Sequence, residues 1–238
     1  EEFFPNNQLV INDATIEAWR WSTAEENPYY KYIKSNIEKD ARVDAIGMQY
    51  HMFYRREDEA SKTRPYYSPE HLFSVLELMD SFKKPIQITE ITIPAYSGNA
   101  EDEYIQAEIV EWLYKIWFSH PSIEQIVYWN LIDGYCHVED ATPEKIKETQ
   151  GNMTLGENYY YGGLLRFDMT PKPAYYKIKE LIQKTWHTET KATTDENGVA
   201  TFRGFYGQYE VEISAGDKTV TRTINLSSKS DNKMSVTL

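Results

Sequence analysis

Residues 86–93 form an apolar, β-branched run that carries a single carboxylate, Glu90, near its end. A carboxylate in such a strand costs free energy unless it is hydrogen-bonded or takes part in chemistry. In a parallel α/β barrel, the carboxyl ends of the strands point into the active site. Glu90 is therefore a candidate nucleophile. The alternative is a glutamate on an edge strand that faces solvent.

Polar or aromatic side chains also end the three other strands that the sequence predicts: Asn12 with Asp13, Gln49 with His51, and Trp129 with Asp133. Taken singly, each has a structural explanation. His51 could be a hydrogen-bonded core histidine, Asp13 a helix cap, and Trp129 ordinary core packing. Because all of these residues lie near the carboxyl end of a predicted strand, as Glu90 does, the pattern predicts one shared site at the carboxyl ends of the strands.

A strand followed by a helix recurs four times before residue 187. The predicted strands cover residues 8–13, 45–51, 86–91 and 126–133. The predicted helices begin near Asn27-Pro28 and Ser68-Pro69, and then cover residues 101–119 and 173–186. In the third helix, helical spacing predicts a core face made of Ile105, Ile109, Trp112, Leu113 and Ile116. Alternating units of this kind indicate parallel strands covered by helices.

The composition changes after Trp186, and residues 188–238 are rich in Thr, Ser, Gly and Asn. Short alternating runs at 199–202, 209–213, 218–226 and 234–238 are separated by turn signals. We therefore predict two domains, 1–187 and 188–238, the second a small all-β, Ig-like sandwich. Its role is structural or that of a spacer, with carbohydrate binding as the alternative.

Charge and cysteine content exclude several classes of protein. The formal net charge of −12 argues against nucleic-acid and anionic-membrane partners, which favour basic surfaces. The single cysteine, Cys136, excludes an internal disulfide and a cysteine-based zinc site.

No apolar run approaches the roughly 18 to 20 residues of a membrane span. The chain begins without an initiator Met, and we expect it to be part of a longer protein.

Four motifs occur in the order found in one enzyme family: Gln49-Tyr-His51, Ile88-Thr-Glu-Ile91, Trp129-Asn-Leu-Ile-Asp-Gly-Tyr135, and the run Gly-Leu-Leu-Arg-Phe-Asp-Met-Thr-Pro-Lys-Pro-Ala-Tyr at 163–175. Over residues 1–186 the chain resembles the last four βα units of glycoside hydrolase family 10, the β-1,4-xylanase family. Residues 5–13 are similar to its fifth strand. The resemblance implies an α/β fold of (β/α)8 TIM-barrel type, of which only the last four βα units are present.

The resemblance also implies retaining hydrolysis, which needs two carboxyl groups about 5 to 5.5 Å apart. Glu90 matches the family nucleophile, and His51 matches the histidine that hydrogen-bonds to it. Gln49 and Trp129 match residues that line the sugar site. We add three further candidates for substrate binding: Asn12, Tyr135 and His137. The chemistry implies no metal and no organic cofactor.

The chain departs from the family pattern in two places. The family acid/base glutamate lies in an Asn-Glu motif at the end of the fourth strand, and this chain begins after that strand. We expect the missing N-terminal half-barrel to be supplied in cis or in trans, or the chain to pair with itself. His137 stands where the family usually has Trp, and a role for it as replacement acid is the alternative. The carboxylates of the long loop, Glu139, Asp140, Glu144 and Glu157, are expected to form a solvated face.

The predicted function is that of a retaining endo-β-1,4-xylanase acting on xylan or xylo-oligosaccharides. One alternative is a non-catalytic, degenerate barrel that binds glycans. Another is a related β-glucanase or cellulase. A polymeric substrate is met outside the cytoplasm, so we expect a periplasmic or extracellular location.

Overall fold

The computed structural model describes residues 4–13, 16–136, 138, 142–228 and 230–237. The chain divides into two compact units, Glu1–Ile178 and Lys179–Leu238. The change in composition after residue 187 therefore falls within the second unit. The first unit holds the residues that the sequence assigns to chemistry.

The first unit is built on four parallel strands in the order β1-β2-β3-β4, with bounds Val10–Asn12, Ala45–His51, Ile86–Thr92 and Ile123–Ile126. Parallel pairing of neighbouring strands confirms the predicted α/β pattern. The second strand has the predicted bounds, and all of its residues except Gln49 are buried, as expected of a parallel strand that is covered on both faces.

The predicted fourth strand, at residues 126–133, is wrong in its bounds, since β4 ends at Ile126. The chain then follows β3 through only two backbone bonds, from Val127 to Ile88 (2.8 Å) and from Trp129 to Ile91 (2.9 Å). Asn130 next takes a left-handed backbone with φ of 58°. A residue in that conformation ends a strand, and periodicity alone does not reveal it.

Six helices accompany the strands in the part of the chain that the structure describes: α1 Pro28–Ile37, α2 Arg56–Lys62, α3 Pro69–Asp80, α4 Ala100–Ser119, α5 Pro143–Thr149 and α6 Pro173–Glu180. The predicted caps are confirmed: Asn27 accepts from the backbone N–H of Tyr30, and Ser68 accepts from that of His71. Proline follows each cap, where its missing N–H costs nothing. A wide π-type turn, Leu181–Thr185, continues α6.

The predicted core face of α4 is partly wrong. Ile105 and Trp112 are 48% and 46% exposed, whereas Glu103 and Gln106 are buried. These polar residues are buried because they have partners: Glu103 forms an ion pair with Arg166 (2.5 Å), and Gln106 donates to the Ile93 carbonyl (2.8 Å). Polar partners on distant segments thus decide which face of α4 is buried, and the apolar spacing did not predict that face.

The four-stranded sheet is curled. In a flat sheet, β1 and β4 would lie about 14 Å apart, because neighbouring strands are spaced by about 4.8 Å. Yet Gln8, just before β1, donates to Glu124 of β4 at 3.0 Å. Gln87 of β3 lies between them and donates to Gln8 (3.2 Å) and Glu124 (2.8 Å). The concave side of the sheet, called the inner face below, therefore carries polar side chains.

A buried ion pair ties the segment after β4 to the start of α6. Lys172 has no exposed surface, and its Nζ lies 2.8 Å from Asp133 Oδ2. Lys172 also donates to the Tyr161 carbonyl (2.7 Å), and Asp133 Oδ1 accepts from the Gly163 N–H (2.7 Å). Burial lowers the pKa of Lys172, and the Asp133 charge opposes that shift.

In the second unit, β5 (Gly207–Ala215) and β6 (Lys218–Leu226) form an antiparallel hairpin. The connection contains Gly216, whose φ of 57° suits a tight turn. The predicted Ig-like sandwich is not confirmed, because residues 199–202 and 234–237 form no strand. Alternation and turn residues are sufficient to predict a hairpin, but a second sheet depends on pairing between distant segments.

No helix among the described residues combines the length and the apolar character that crossing a membrane requires.

We predict that Lys172→Met lowers the free energy of unfolding by about 3 to 5 kcal/mol, because it leaves the buried Asp133 carboxylate without its partner. Urea denaturation followed by far-UV circular dichroism measures the change. Lys147→Met, the same substitution at an exposed position of α5, is the control and should have little effect. A loss below about 1 kcal/mol for Lys172→Met would mean that the pair contributes no more than a surface ion pair does.

Candidate active site

A β-bulge directs Glu90 onto the inner face. Met48 of β2 pairs with Ile88 of β3, but the next residue, Gln49, pairs with Glu90. Thr89 is therefore an additional residue in β3. In a regular strand, successive side chains point to opposite faces, and Glu90 would face away from Thr89. The bulge brings both side chains to the inner face, and bulges of this kind commonly re-aim a residue beside an active site.

Both carboxylate oxygens of Glu90 accept hydrogen bonds from β2. Gln49 Nε2 donates to Oε1 at 3.0 Å, and His51 Nε2 lies 3.0 Å from Oε2. Gln49 and His51 are two residues apart on one strand, so their side chains share a face. The Glu90 side chain is 22% exposed and that of His51 is 3% exposed. Glu90 is thus held by two donors while it stays accessible to a ligand.

The contacts of His51 define its protonation. Burial is the main influence and lowers the pKa of His51, while the hydrogen bond and charge of Glu90 oppose this shift. An ionised Glu90 can only accept, so the neutral imidazole carries its proton on Nε2 and donates it to Glu90. Nδ1 then accepts from the Thr92 hydroxyl, whose oxygen lies 2.9 Å away. The Glu90 carboxylate therefore fixes the tautomer, and the Thr92 hydroxyl, which can donate or accept, satisfies the other ring nitrogen.

His51 also has aromatic neighbours. Its ring stacks on that of Phe53, with centroids 4.6 Å apart and an interplanar angle of 8°. Trp129 meets the same imidazole edge-to-face at 6.2 Å. These rings exclude water from one side of His51, which agrees with the burial that lowers its pKa.

Asn12 reaches across β2 to the bulge. It lies in β1 opposite Gly47, and its Oδ1 accepts from the Thr89 hydroxyl at 2.8 Å. A Cβ on Gly47 would lie 2.5 Å from Asn12 Oδ1, so only glycine leaves room for this contact. Asn12, predicted to bind substrate, therefore supports the residue next to Glu90 and remains exposed on the inner face.

Trp129 borders the site and is 41% exposed. Its indole Nε1 donates to Glu157 Oε2 at 2.9 Å, and the side chain of Asn130 donates to the same oxygen. Glu157 is half-buried, so the expectation that it belongs to a solvated face holds only in part. Glu157 lies 28 residues beyond Trp129, and a contact between such distant residues has no local signal in the sequence.

The remaining predicted residues differ in their placement. Tyr135 stacks on Phe167 with centroids 5.1 Å apart, and Asp133 forms the buried pair with Lys172 rather than ending a strand at the site. Asp13 accepts from the Ala18 N–H at 2.5 Å, although the N-cap position of the 3₁₀ helix Glu17–Trp19 is Ile16. His137, Glu139 and Asp140 lie outside the described residues, so the prediction that His137 binds substrate stays a prediction.

Sequence reasoning missed Thr92 as well as Glu157. Thr92 follows Glu90 by two positions, so its place on the same strand face could have indicated it. Among the residues that the structure describes, no group of three or more His, Cys, Asp or Glu side chains could hold a metal ion.

Comparison with known proteins adds independent findings. The family model described as glycosyl hydrolase family 10 matches residues 1–181, which is more than half of the chain. Endo-1,4-beta-xylanase B of Thermotoga neapolitana is 28% identical over 186 residues, covering 77% of the chain and 46% of the relative. Anti-sigma-I factor RsgI6 of Acetivibrio thermocellus is 30% identical over 156 residues, covering 65% of the chain and 17% of the relative.

The fold has a counterpart among solved structures. Native xylanase 10B from Thermotoga maritima matches with a TM-score of 0.54 at 26% identity, covering 76% of the chain and 48% of that protein. The chain thus spans about half or less of the length of these relatives. A parallel sheet of four strands agrees with half of an eight-stranded barrel.

The lowered pKa of His51 predicts how stability depends on pH. In the unfolded chain His51 takes up a proton near pH 6.5, whereas the folded protein binds it only at lower pH. The unfolded state therefore binds more protons below about pH 6.5, and the free energy of unfolding should fall as the solution is acidified through this range. Urea denaturation at pH 7.5 and 5.5 measures the slope.

His51→Gln should flatten this slope, while His187→Gln, at an exposed position of the second unit, should leave it unchanged. Equal slopes for the wild type and His51→Gln would contradict the account. A steeper slope in His51→Gln would mean that the Glu90 charge raises the pKa of His51 by more than burial lowers it.

Proposed function

The chain belongs to glycosyl hydrolase family 10, and we propose that it supplies the nucleophile half of a retaining β-1,4-xylan hydrolase. The observation that carries the proposal is the bulged register that directs Glu90 to the inner face, with a hydrogen-bond donor on each of its oxygens. A free, half-exposed glutamate would have no such support.

In the proposed reaction, Glu90 attacks the anomeric carbon of a xylosyl unit and forms a glycosyl ester. The bond from that carbon to the leaving oxygen breaks, and a second carboxyl group protonates the oxygen. Water then attacks the same carbon, the second group removes its proton, and Glu90 is released. The two displacements together retain the configuration at the anomeric carbon.

His51 and Gln49 have a positioning role in this scheme. By donating to opposite oxygens of Glu90, they fix the plane of the carboxylate before the sugar arrives. Because His51 is neutral, its bond holds Glu90 without adding a positive charge that would reduce its nucleophilicity. Trp129 offers an exposed indole face for the apolar side of a sugar ring.

The second carboxyl group is proposed to come from the first four βα units of the barrel, joined to this chain in cis or in trans. Within the described residues, β1 and β4 each pair with one strand only. Unpaired edges of a parallel sheet are sites for further strands. The polar inner face, with Gln8, Gln87 and Glu124 bonded to one another, would form one wall of the closed barrel.

One observation favours a second candidate function, binding without hydrolysis. A relative that is 30% identical is named an anti-sigma factor rather than a hydrolase. This chain would then hold xylan or a related glycan through Trp129. A third possibility is hydrolysis of a β-glucan by the same nucleophile. We also propose a periplasmic or extracellular location, because the substrate is a polymer.

We predict that Glu90→Gln lowers xylan turnover by more than about 10³-fold in the assembled barrel, meaning this chain together with the first four βα units. Gln keeps the size and a hydrogen-bond acceptor but is not a nucleophile. Glu148→Gln, the same substitution at an exposed position of α5, is the control and should retain turnover. Release of reducing sugars from xylan and from β-glucan measures both activity and substrate preference.

Affinity for xylo-oligosaccharides that Glu90→Gln leaves unchanged, with no hydrolysis by the wild-type assembly, would favour binding over catalysis. Preferred hydrolysis of β-glucan would favour the third possibility.

The proposed partner gives a separate prediction. Without the first four units, xylan turnover should fall by at least about 10² to 10⁴-fold, which is the usual contribution of general acid–base catalysis. Adding a polypeptide that carries those units should restore turnover and give a larger species on gel filtration. A monomer of this chain that hydrolyses xylan at the rate of the assembled barrel would contradict the proposal.

A further inference from the structure

The Glu157 carboxylate links the loop after β4 to the aromatic border of the site. One oxygen, Oε2, accepts from the Trp129 indole at 2.9 Å and also from the Asn130 side chain. Hydrogen bonds to a charged acceptor are about twice as strong as those between neutral groups. Two consecutive residues at the site are thus bound by one carboxylate that the proposed reaction does not use.

Trp129 lies at the exposed border of the site, where a hydrogen bond to its indole can restrict the orientation of the ring. Its ring is 41% exposed and meets His51 only edge-to-face. The next residue, Asn130, has a left-handed backbone with φ of 58°, which costs free energy in a residue other than glycine. The bond from the Asn130 side chain to Glu157 offsets part of that cost and fixes the direction in which Trp129 leaves the sheet.

Glu157 is itself anchored. It lies in the 3₁₀ helix Gly156–Tyr160, and its neighbour Asn158 is 1% exposed. The Asn158 side chain accepts from the Cys136 N–H (3.1 Å) and donates to the Gly151 carbonyl (2.7 Å). The carboxylate therefore extends from a fixed backbone, so it can impose an orientation on Trp129 rather than follow it.

We propose that Glu157 is a positioning residue that sets the orientation of the Trp129 indole. Through that orientation, Glu157 sets the affinity with which the exposed indole face binds a sugar ring beside Glu90. The effect of this orientation on the binding of a xylosyl unit rests on the proposed function. The contact itself can be tested without any ligand.

The first test uses the 238-residue chain with ¹⁵N-labelled tryptophan. The chain has six Trp residues, and Trp129→Phe assigns the indole N–H signal of Trp129. In Glu157→Leu, that signal should shift and exchange faster with water, while the other indole signals stay in place. Glu157→Gln keeps an acceptor without the charge and should give a smaller shift of the same signal.

Glu148→Gln provides a matched control, since Glu148 is an exposed carboxylate of α5 in the same loop. It should move none of the indole signals. A Trp129 signal that stays unchanged in both Glu157 variants would overturn the inference. If Glu157→Leu moves every signal because the chain unfolds, Glu157→Gln decides the outcome alone.

The second test measures xylotriose affinity of the assembled barrel by calorimetry. Every protein carries Glu90→Gln so that the ligand is not hydrolysed, and the barrel with no further substitution serves as the wild type. Glu157→Leu should bind about tenfold more weakly, Glu157→Gln should recover part of the loss, and Glu148→Gln should bind as the wild type does. Wild-type affinity in Glu157→Leu would overturn the inference while the proposed function stands. Absence of binding by the wild type would instead contradict the proposed function, and the indole signals would still decide the role of Glu157.

Discussion

The candidate site depends on one additional residue in β3. Thr89 lies between the pairs formed by Ile88 and Glu90, and if β3 alternated regularly through Thr89 instead of bulging there, Glu90 would point toward the helices. The surrounding contacts agree with this register. Asn12 accepts a hydrogen bond from the Thr89 hydroxyl across Gly47, which keeps the bulge on the inner face. Gln49 and His51 donate to the Glu90 carboxylate that the bulge redirects. The change in strand register therefore brings Glu90 to the same face of the sheet as Gln49 and His51.

A second constraint is the curvature of the sheet. The bonds among Gln8, Gln87 and Glu124 require the outer strands to approach across the inner face, at the end of the sheet opposite to Glu90. The same curvature brings Asn12 of β1 within reach of Thr89 in β3. A curled sheet with polar residues on its inner face and two single-paired outer strands has the form expected of part of a closed barrel.

The sequence predicted what local rules determine. The bounds of β2, the caps at Asn27 and Ser68, and the pairing of His51 with Glu90 follow from alternation, capping preference and family resemblance. Features that depend on distant partners were missed. The bulge at Thr89 and the Glu157 contact are of this kind. The face of α4 was also mispredicted, since Glu103 and Gln106 are buried by partners outside the helix.

The most direct test of the account is covalent trapping of the nucleophile. The assembled barrel is incubated with a 2-fluoro xylobioside that bears an activated leaving group, which departs with little help from an acid, and the added mass is located by peptide mapping. We expect one added glycosyl group on Glu90, which should be absent from Glu90→Gln. Labelling of another carboxylate such as Glu157, or hydrolysis of xylan without any trapped ester, would contradict it.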